Sequence, residues 1–252
     1  MNRFKSGWAL ALALVATVDS ARAVQSESRQ PVPSNSAQPG TSDTLREPPH
    51  GSRTYNPVDA ERTLAEFSDC VLDRGGRRAR AGRFLRLPPG GEAFNEAAER
   101  LTPEECLLTR GGTYMEMSIR ADVLRASLFA AMYKREFARV PPSPELSTIP
   151  PLLLRDEFDG DLAMLPESVR VMRGIGDCSA RLDPVGAHDF LLTTLGSSEE
   201  RRTLERVTTA LANCLPEGHQ LRFTRAVLRG MLGEALYKLR RAAAGETPAP
   251  PT

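Results

Sequence analysis

The four cysteines are the residues of this chain whose chemistry follows most directly from their spacing. Cys70 and Cys106 are 36 residues apart, and Cys178 and Cys214 are also 36 residues apart. An even number of cysteines in an oxidising compartment indicates disulfides. A metal site is the alternative, but the sequence has no C-x-x-C and no histidine pair near the cysteines. We therefore expect two disulfides, which would leave no free thiol as a nucleophile.

Two tyrosine–lysine pairs, Tyr133-Lys134 and Tyr237-Lys238, each follow an apolar helical pattern. One hypothesis is a repeated ligand contact in which phenol and ammonium groups bind an anion. The alternative is structural: each tyrosine buries its ring and keeps its hydroxyl at the surface. Each lysine would then extend its amine to solvent near the C-terminus of the helix. The sequence favours the structural interpretation.

The strongest run of charge is a set of six arginines between residues 74 and 86. Arg77, Arg80, Arg83 and Arg86 recur every three residues and are predicted to share one helix face. Such a face suits phosphate or carboxylate groups, for example on an anionic component of a cell envelope. The alternative is a solvated face whose charge is balanced by nearby glutamates.

His188-Asp189 is the candidate for a general base held by a carboxylate. No nucleophile motif such as G-x-S-x-G accompanies it. The histidines, His50, His188 and His219, show no spacing typical of metal ligands. The sequence therefore predicts no catalytic, cofactor-binding or metal-binding residue.

An internal repeat carries most of these residues. At an offset of 108, Asp69-Cys70 matches Asp177-Cys178, and at an offset of 104 residues 123–125 match residues 227–229. The same offset of 104 relates the two tyrosine–lysine pairs. Self-similarity of this kind indicates a duplicated structural unit. If each copy is self-contained, each disulfide joins the two cysteines of one copy, and pairing between copies is the alternative.

Helical periodicity and helix-start signals predict four helices in each copy. Asn56-Pro57, Asp183-Pro184 and Ser197–Glu200 are typical N-terminal capping sequences. The fourth helix is the clearest, from about Ile119 to Phe137 in the first copy and from Thr224 to about Arg241 in the second. No alternating strand pattern is present. The predicted fold is all-α: two tandem copies of a four-helix unit, about eight helices, each copy stapled by one disulfide.

The segments outside the helices set the domain boundaries. A positively charged start, an apolar run over residues 8–18 and Ala21-Arg22-Ala23 predict a signal peptide over residues 1–23, with an uncleaved anchor as the alternative. A disordered Pro/Ser-rich tether follows over residues 24–55. The first repeat covers 56–138, a Pro-rich linker 139–164, the second repeat 165–243 and a disordered tail 244–252.

Charge and export limit the classes of function. The chain has 33 basic and 32 acidic residues, and loss of the signal peptide brings the net charge to about −1, which argues against nucleic-acid binding. We expect a periplasmic or extracellular protein without a transmembrane segment in the mature chain. The predicted function is non-enzymatic: binding to an unknown protein or anionic envelope component, or a structural role in the envelope. The alternative is an envelope hydrolase that uses glutamates and His188 in a groove between the two copies.

Overall fold

The computed structural model describes residues 56–73, 75–107, 119–163, 165–215 and 223–250. All regular structure in these ranges is helical, with nine α-helices, two 3₁₀ turns and no strand, which confirms the all-α class for this part of the chain. The 3₁₀ turns cover Glu104–Cys106 and Pro144–Thr148. In chain order the α-helices are α1 (Pro57–Asp73), α2 (Gly75–Arg86), α3 (Glu92–Glu99), α4 (Ala121–Phe137), α5 (Leu154–Glu157), α6 (Glu167–Leu182), α7 (Pro184–Leu192), α8 (Ser198–Ala212) and α9 (Arg225–Ala243).

Several helices begin at the predicted capping residues. The Asn56 side chain accepts a hydrogen bond from the Val58 amide at the start of α1, at 3.1 Å. Asp183 caps α7 by accepting from the Gly186 amide at 2.8 Å, and Ser197 caps α8 by accepting from the Glu200 amide at 3.0 Å. These side chains satisfy amides that have no partner within the helix.

The core is built on the crossing of α4 and α9. A Cβ atom added at Gly230 would lie 2.8 Å from the Cα atom of Ala126, and one added at Gly233 would lie 2.9 Å from the Cα atom of Ala130. Only glycine permits backbones this close. Around the crossing, both helices bury large side chains, including Leu128, Phe129, Met132, Tyr133, Leu232, Leu236 and Tyr237.

The other helices pack around this pair. Helix α1 lies on α4, α6 lies on α9, and α7 contacts both α8 and α9. The first disulfide joins Cys70 in α1 to Cys106 in the first 3₁₀ turn, and the second joins Cys178 in α6 to Cys214 just after α8. The Cα–Cα distances are 5.7 Å and 5.8 Å. This is the pairing that the equal cysteine spacing predicts.

The proline-rich segment 139–164 contains no helix longer than a few residues among its described residues, but it is not a loose connection. Leu146, Glu157 and Phe158 are buried in it. The Asp159 amide donates a hydrogen bond to the Arg86 carbonyl at 2.7 Å, which holds the segment against α2. The linker is therefore a packed part of the fold, because its apolar side chains reach the core between the prolines.

The predicted tail is described as far as Pro250, and Ala249 within it is only 1% exposed, so this part of the tail is packed rather than free. The predicted signal peptide and tether, residues 1–55, lie outside the described residues. None of the helices in the described ranges is both long enough and apolar enough to cross a membrane.

Candidate functional site

A groove of about 1040 Å³ lies where α1, α4, α6 and α9 meet beside the linker. Most of its lining side chains are apolar, and they come from all of these elements. On α6 they follow helical spacing, so that one face of the helix points into the groove while Val171 is exposed to solvent. The apolar lining includes Leu64, Ile119, Val123, Leu152, Phe158, Val169, Met172, Val227 and Met231, with Ala60, Ala126, Ala226 and Ala235 between them.

A network of ion pairs also lines the groove and continues beneath it. Arg173 pairs with Glu157, Lys238 contacts both Glu157 and Glu234, and Arg125 pairs with Glu234 through both of its terminal nitrogens. The Lys238 Nζ to Glu157 Oε2 distance is 2.6 Å, and Glu157 is fully buried. We call these five residues the buried ion network. It connects α4, α5, α6 and α9 at the base of the groove.

The network holds the Glu234 carboxylate in the charged form. Burial alone would raise the pKa of Glu234, but the adjacent Arg125 and Lys238 hold this pKa well below its usual value. Two aromatic rings enclose the cations. The Arg125 guanidinium is 4.8 Å from the centre of the Phe129 ring, and the Lys238 ammonium is 5.1 Å from the centre of the Phe158 ring. Cation–π contacts of this type stabilise a desolvated cation.

A second, much smaller cavity of about 50 Å³ adjoins the groove and shares Glu61, Leu64, Val123, Ala226 and Gly230 with its lining. Its charged lining consists of Glu61, Asp69, Lys134 and Arg229. Arg229 is 7% exposed and donates to Glu200 at 2.8 Å and to the Thr193 hydroxyl at 2.8 Å. Burial lowers the pKa of Lys134, and the nearby Arg229 lowers it further.

The structural interpretation of the two tyrosine–lysine pairs placed the tyrosine hydroxyls and the lysine amines at the surface, and the structure differs in both respects. Both tyrosines are fully buried, and neither lines the groove. The Tyr133 hydroxyl lies 2.7 Å from His188 Nδ1, and burial raises the pKa of Tyr133 to about 12. Lys238 is 2% exposed and belongs to the buried ion network, so it does not extend to solvent. The lysines therefore face two different cavities, and the tyrosines support the core.

The candidate general base, His188, does not line the groove. His188 is 4% exposed and is hydrogen-bonded to Tyr133, and burial lowers its pKa. Its neighbour Asp189 lies 3.7 Å from Arg206 on α8. The hydrolase hypothesis placed glutamates and His188 in one groove, and His188 does not line this one.

The arginine run does not form one open anionic-ligand face. Arg77 is 7% exposed and donates to Glu105 Oε1 and to the Cys106 sulfur, each at 3.1 Å. Arg86 pairs with Asp159 through two nitrogens, and the Nε to Oδ2 distance is 2.7 Å. Only Arg80 and Arg83 of the four predicted residues are exposed without a salt bridge to a described carboxylate. The reason is that α2 packs against the linker and the first disulfide.

No group of three or more histidine, cysteine or acidic side chains in the described ranges is arranged to hold a metal ion. Sequence reasoning missed the buried ion network as a site. One signal of it was present in the sequence. Arg125 and Arg229 occupy equivalent positions at the offset of 104, so that a charged residue is repeated within an apolar helix pattern. Glu157 gave no signal, because it lies in the proline-rich segment.

Comparison with known proteins adds no relative: no protein-family model, curated protein or solved structure matches this chain.

Proposed function

We propose that this chain is an exported, non-enzymatic protein that binds a largely apolar small molecule in the groove between α1, α4, α6 and α9. The observation that carries the proposal is the groove itself. Its volume of about 1040 Å³ is at the upper end of the range of about 300–1,000 Å³ found for small-molecule sites. Water in a groove lined this way is replaced favourably by an apolar ligand.

The same features favour binding over hydrolysis. The carboxylates of Glu157 and Glu234 are engaged by Arg125, Arg173 and Lys238, so neither is free to activate water. A general base should have a pKa near the working pH. The lowered pKa of Glu234 is the opposite of what that role requires.

The proposal includes a duplicated architecture, which the cavities support. At the offset of 108, the groove residues Val169, Met172, Arg173 and Asp177 correspond to Glu61, Leu64, Ala65 and Asp69, which line the smaller cavity. At the offset of 104, Arg125 of the groove corresponds to Arg229 of the smaller cavity, and Lys238 of the groove corresponds to Lys134 of the smaller cavity. Ala126 and Gly230, which touch at the helix crossing, are also equivalent positions. Contacts between equivalent positions are characteristic of twofold symmetry.

In this architecture the two cavities are equivalent sites that have diverged. The linker residues Leu152, Glu157 and Phe158 line only the larger one. One copy of the duplicated site thus became a groove large enough for a ligand. Export is supported by the two disulfides, which are stable outside the reducing cytosol.

A fluorescence titration with the uncharged dye N-phenyl-1-naphthylamine tests this function. We expect saturable binding at one site, with the increase in emission that accompanies transfer of the dye from water. Val169→Trp should abolish binding because Val169 lines the groove, whereas Val171→Trp should not, since Val171 is 39% exposed on the same helix. Thermal unfolding of both variants checks that each is folded. Equal dye binding by wild type and Val169→Trp, or no binding at all, would contradict the proposal.

A further inference from the structure

We propose that the ligand of the groove is an amphiphile with an alkyl or acyl chain and a single anionic head group, which the buried ion network receives. This inference rests on the proposed function of the groove and adds the chemistry of the ligand. Its basis is a charge imbalance within the buried ion network at the base of the groove.

The buried ion network contains three cations, Arg125, Arg173 and Lys238, but only two carboxylates, Glu157 and Glu234. One positive charge is therefore not balanced within the network. A buried charge without a counter-charge is costly, because water no longer solvates it. An anionic head group at this position would supply the missing charge.

The remaining charged side chains of the groove do not supply it. Asp177 lies near enough to Arg173 to attract it but forms its salt bridge with Arg181, at 2.8 Å. Asp122 pairs with Arg120 at 2.6 Å, so each of these salt bridges is neutral. Glu61 lines both cavities, and its charged neighbours are Glu200, Arg225 and Arg229 beside the smaller one. Burial raises the pKa of Glu61.

The smaller cavity shows what a balanced version of the site looks like. Two cations, Lys134 and Arg229, and two carboxylates, Asp69 and Glu61, line it, and Arg229 also pairs with Glu200. The cavity has room for little more than water. The excess charge thus occurs only at the larger of the two sites.

Arg125 provides a second observation. Its side chain is 8% exposed, it lines the groove, and its Nε hydrogen has no acceptor among the described residues. Buried donors are normally satisfied by protein, water or ligand. A small movement of the guanidinium would let it donate to a head group while it keeps Glu234. The interaction would be strong because Phe129 and Phe158 exclude water around it.

Competition with the bound dye tests the head-group chemistry with three ligands of one chain length: dodecanoate, 1-dodecanol and dodecylamine. At neutral pH, dodecanoate should bind roughly tenfold or more tightly than 1-dodecanol, as charge-assisted hydrogen bonds contribute this much. Dodecylamine should bind most weakly. Equal binding of acid and alcohol, or tighter binding of the amine, would overturn the inference while leaving the groove as a binding site.

Arg173→Gln tests the charge count directly. It removes the excess positive charge but leaves Glu157 paired with Lys238 and Glu234 paired with Arg125. The preference for dodecanoate over 1-dodecanol should therefore fall to near one. The matched control is Arg170→Gln on the same helix, since Arg170 is exposed and bonds only to the carbonyls of Leu162 and Leu165 among the described residues. An unchanged preference in Arg173→Gln would refute the assignment of the head-group site. Failure of the dye itself to bind would instead refute the function of the groove.

Discussion

Replacing Glu234 by glutamine should destabilise the protein more than any equivalent change at its surface. Glu234 holds two cations, Arg125 and Lys238, whose side chains are 8% and 3% exposed. The variant would leave three cations of the buried ion network facing the single carboxylate of Glu157. Removal of one partner from a buried ion pair costs about 3–5 kcal/mol, because the remaining charge is neither solvated nor paired. We expect a loss of this size in the free energy of unfolding.

Urea unfolding followed by circular dichroism, with the disulfides intact, measures this loss. Glu96→Gln is the matched control, because Glu96 pairs with Arg100 on the surface, where the side chains are 50% and 72% exposed. Its cost should be below about 0.5 kcal/mol. A loss under about 1 kcal/mol for Glu234→Gln would refute the description of the network as buried and mutually dependent.

The pH dependence gives a second readout of the same variant. Folding lowers the pKa of Glu234 from its usual 4.5. A carboxyl of this kind contributes stability that is fully present above the unfolded-state pKa and is lost as the pH falls. The stability difference between wild type and Glu234→Gln should therefore shrink as the pH is lowered from about 5 toward 2. A constant difference over this range would show that the charge of Glu234 is not what stabilises the fold.

Three further predictions concern the core, the disulfides and the buried histidine. Gly230→Ala should lower the free energy of unfolding by about 1–3 kcal/mol, because the added methyl group would meet Ala126. Gly174→Ala in α6, with open space around it, should be neutral or stabilising by up to about 1 kcal/mol. Equal urea midpoints for the two variants would contradict the close crossing. Replacing both cysteines of either disulfide by serine should cost up to about 4 kcal/mol by the chain-entropy relation for a separation of 36 residues, and an unchanged unfolding free energy would argue against that bridge. Burial lowers the pKa of His188 from 6.5, so the stability from its neutral form is present above pH 6.5 and lost as the pH falls. The melting temperature of the wild type should thus fall more between pH 7 and pH 5 than that of His188→Gln. Equal falls would show that the neutral form of His188 does not stabilise the fold.

The helices and disulfides could be predicted because their signals are local or repeated. Asp183-Pro184 and Ser197 satisfy amides within a few residues, so the capping pattern alone locates the helix starts. The equal separation of the cysteines gave the pairing in the same way. Such features depend on short or repeated stretches of sequence, so they can be predicted without knowledge of the tertiary contacts.

The groove and its ion network could not be predicted, because they depend on contacts between distant segments. Lys238 and Glu157 are 81 residues apart, and Arg125 and Glu234 are 109 apart. The position of Lys238 near the end of a helix suggested a solvent-exposed amine. What buries it is the packed linker, whose prolines gave no periodic signal. The same linker pairs with Arg86 and so removes that residue from the predicted anion-binding face.

Photochemical labelling is the most direct test of the central claim that the groove binds an apolar ligand. A dodecyl compound carrying a terminal diazirine would be irradiated with the wild-type protein, and the modified peptides would be identified by mass spectrometry. We expect the label on α6 and α9 at the groove residues Val169, Met172, Val227 and Met231, and its loss in Val169→Trp. Labelling that is unchanged in Val169→Trp, or that instead falls on exposed apolar residues such as Val140 and Leu153, would contradict the claim.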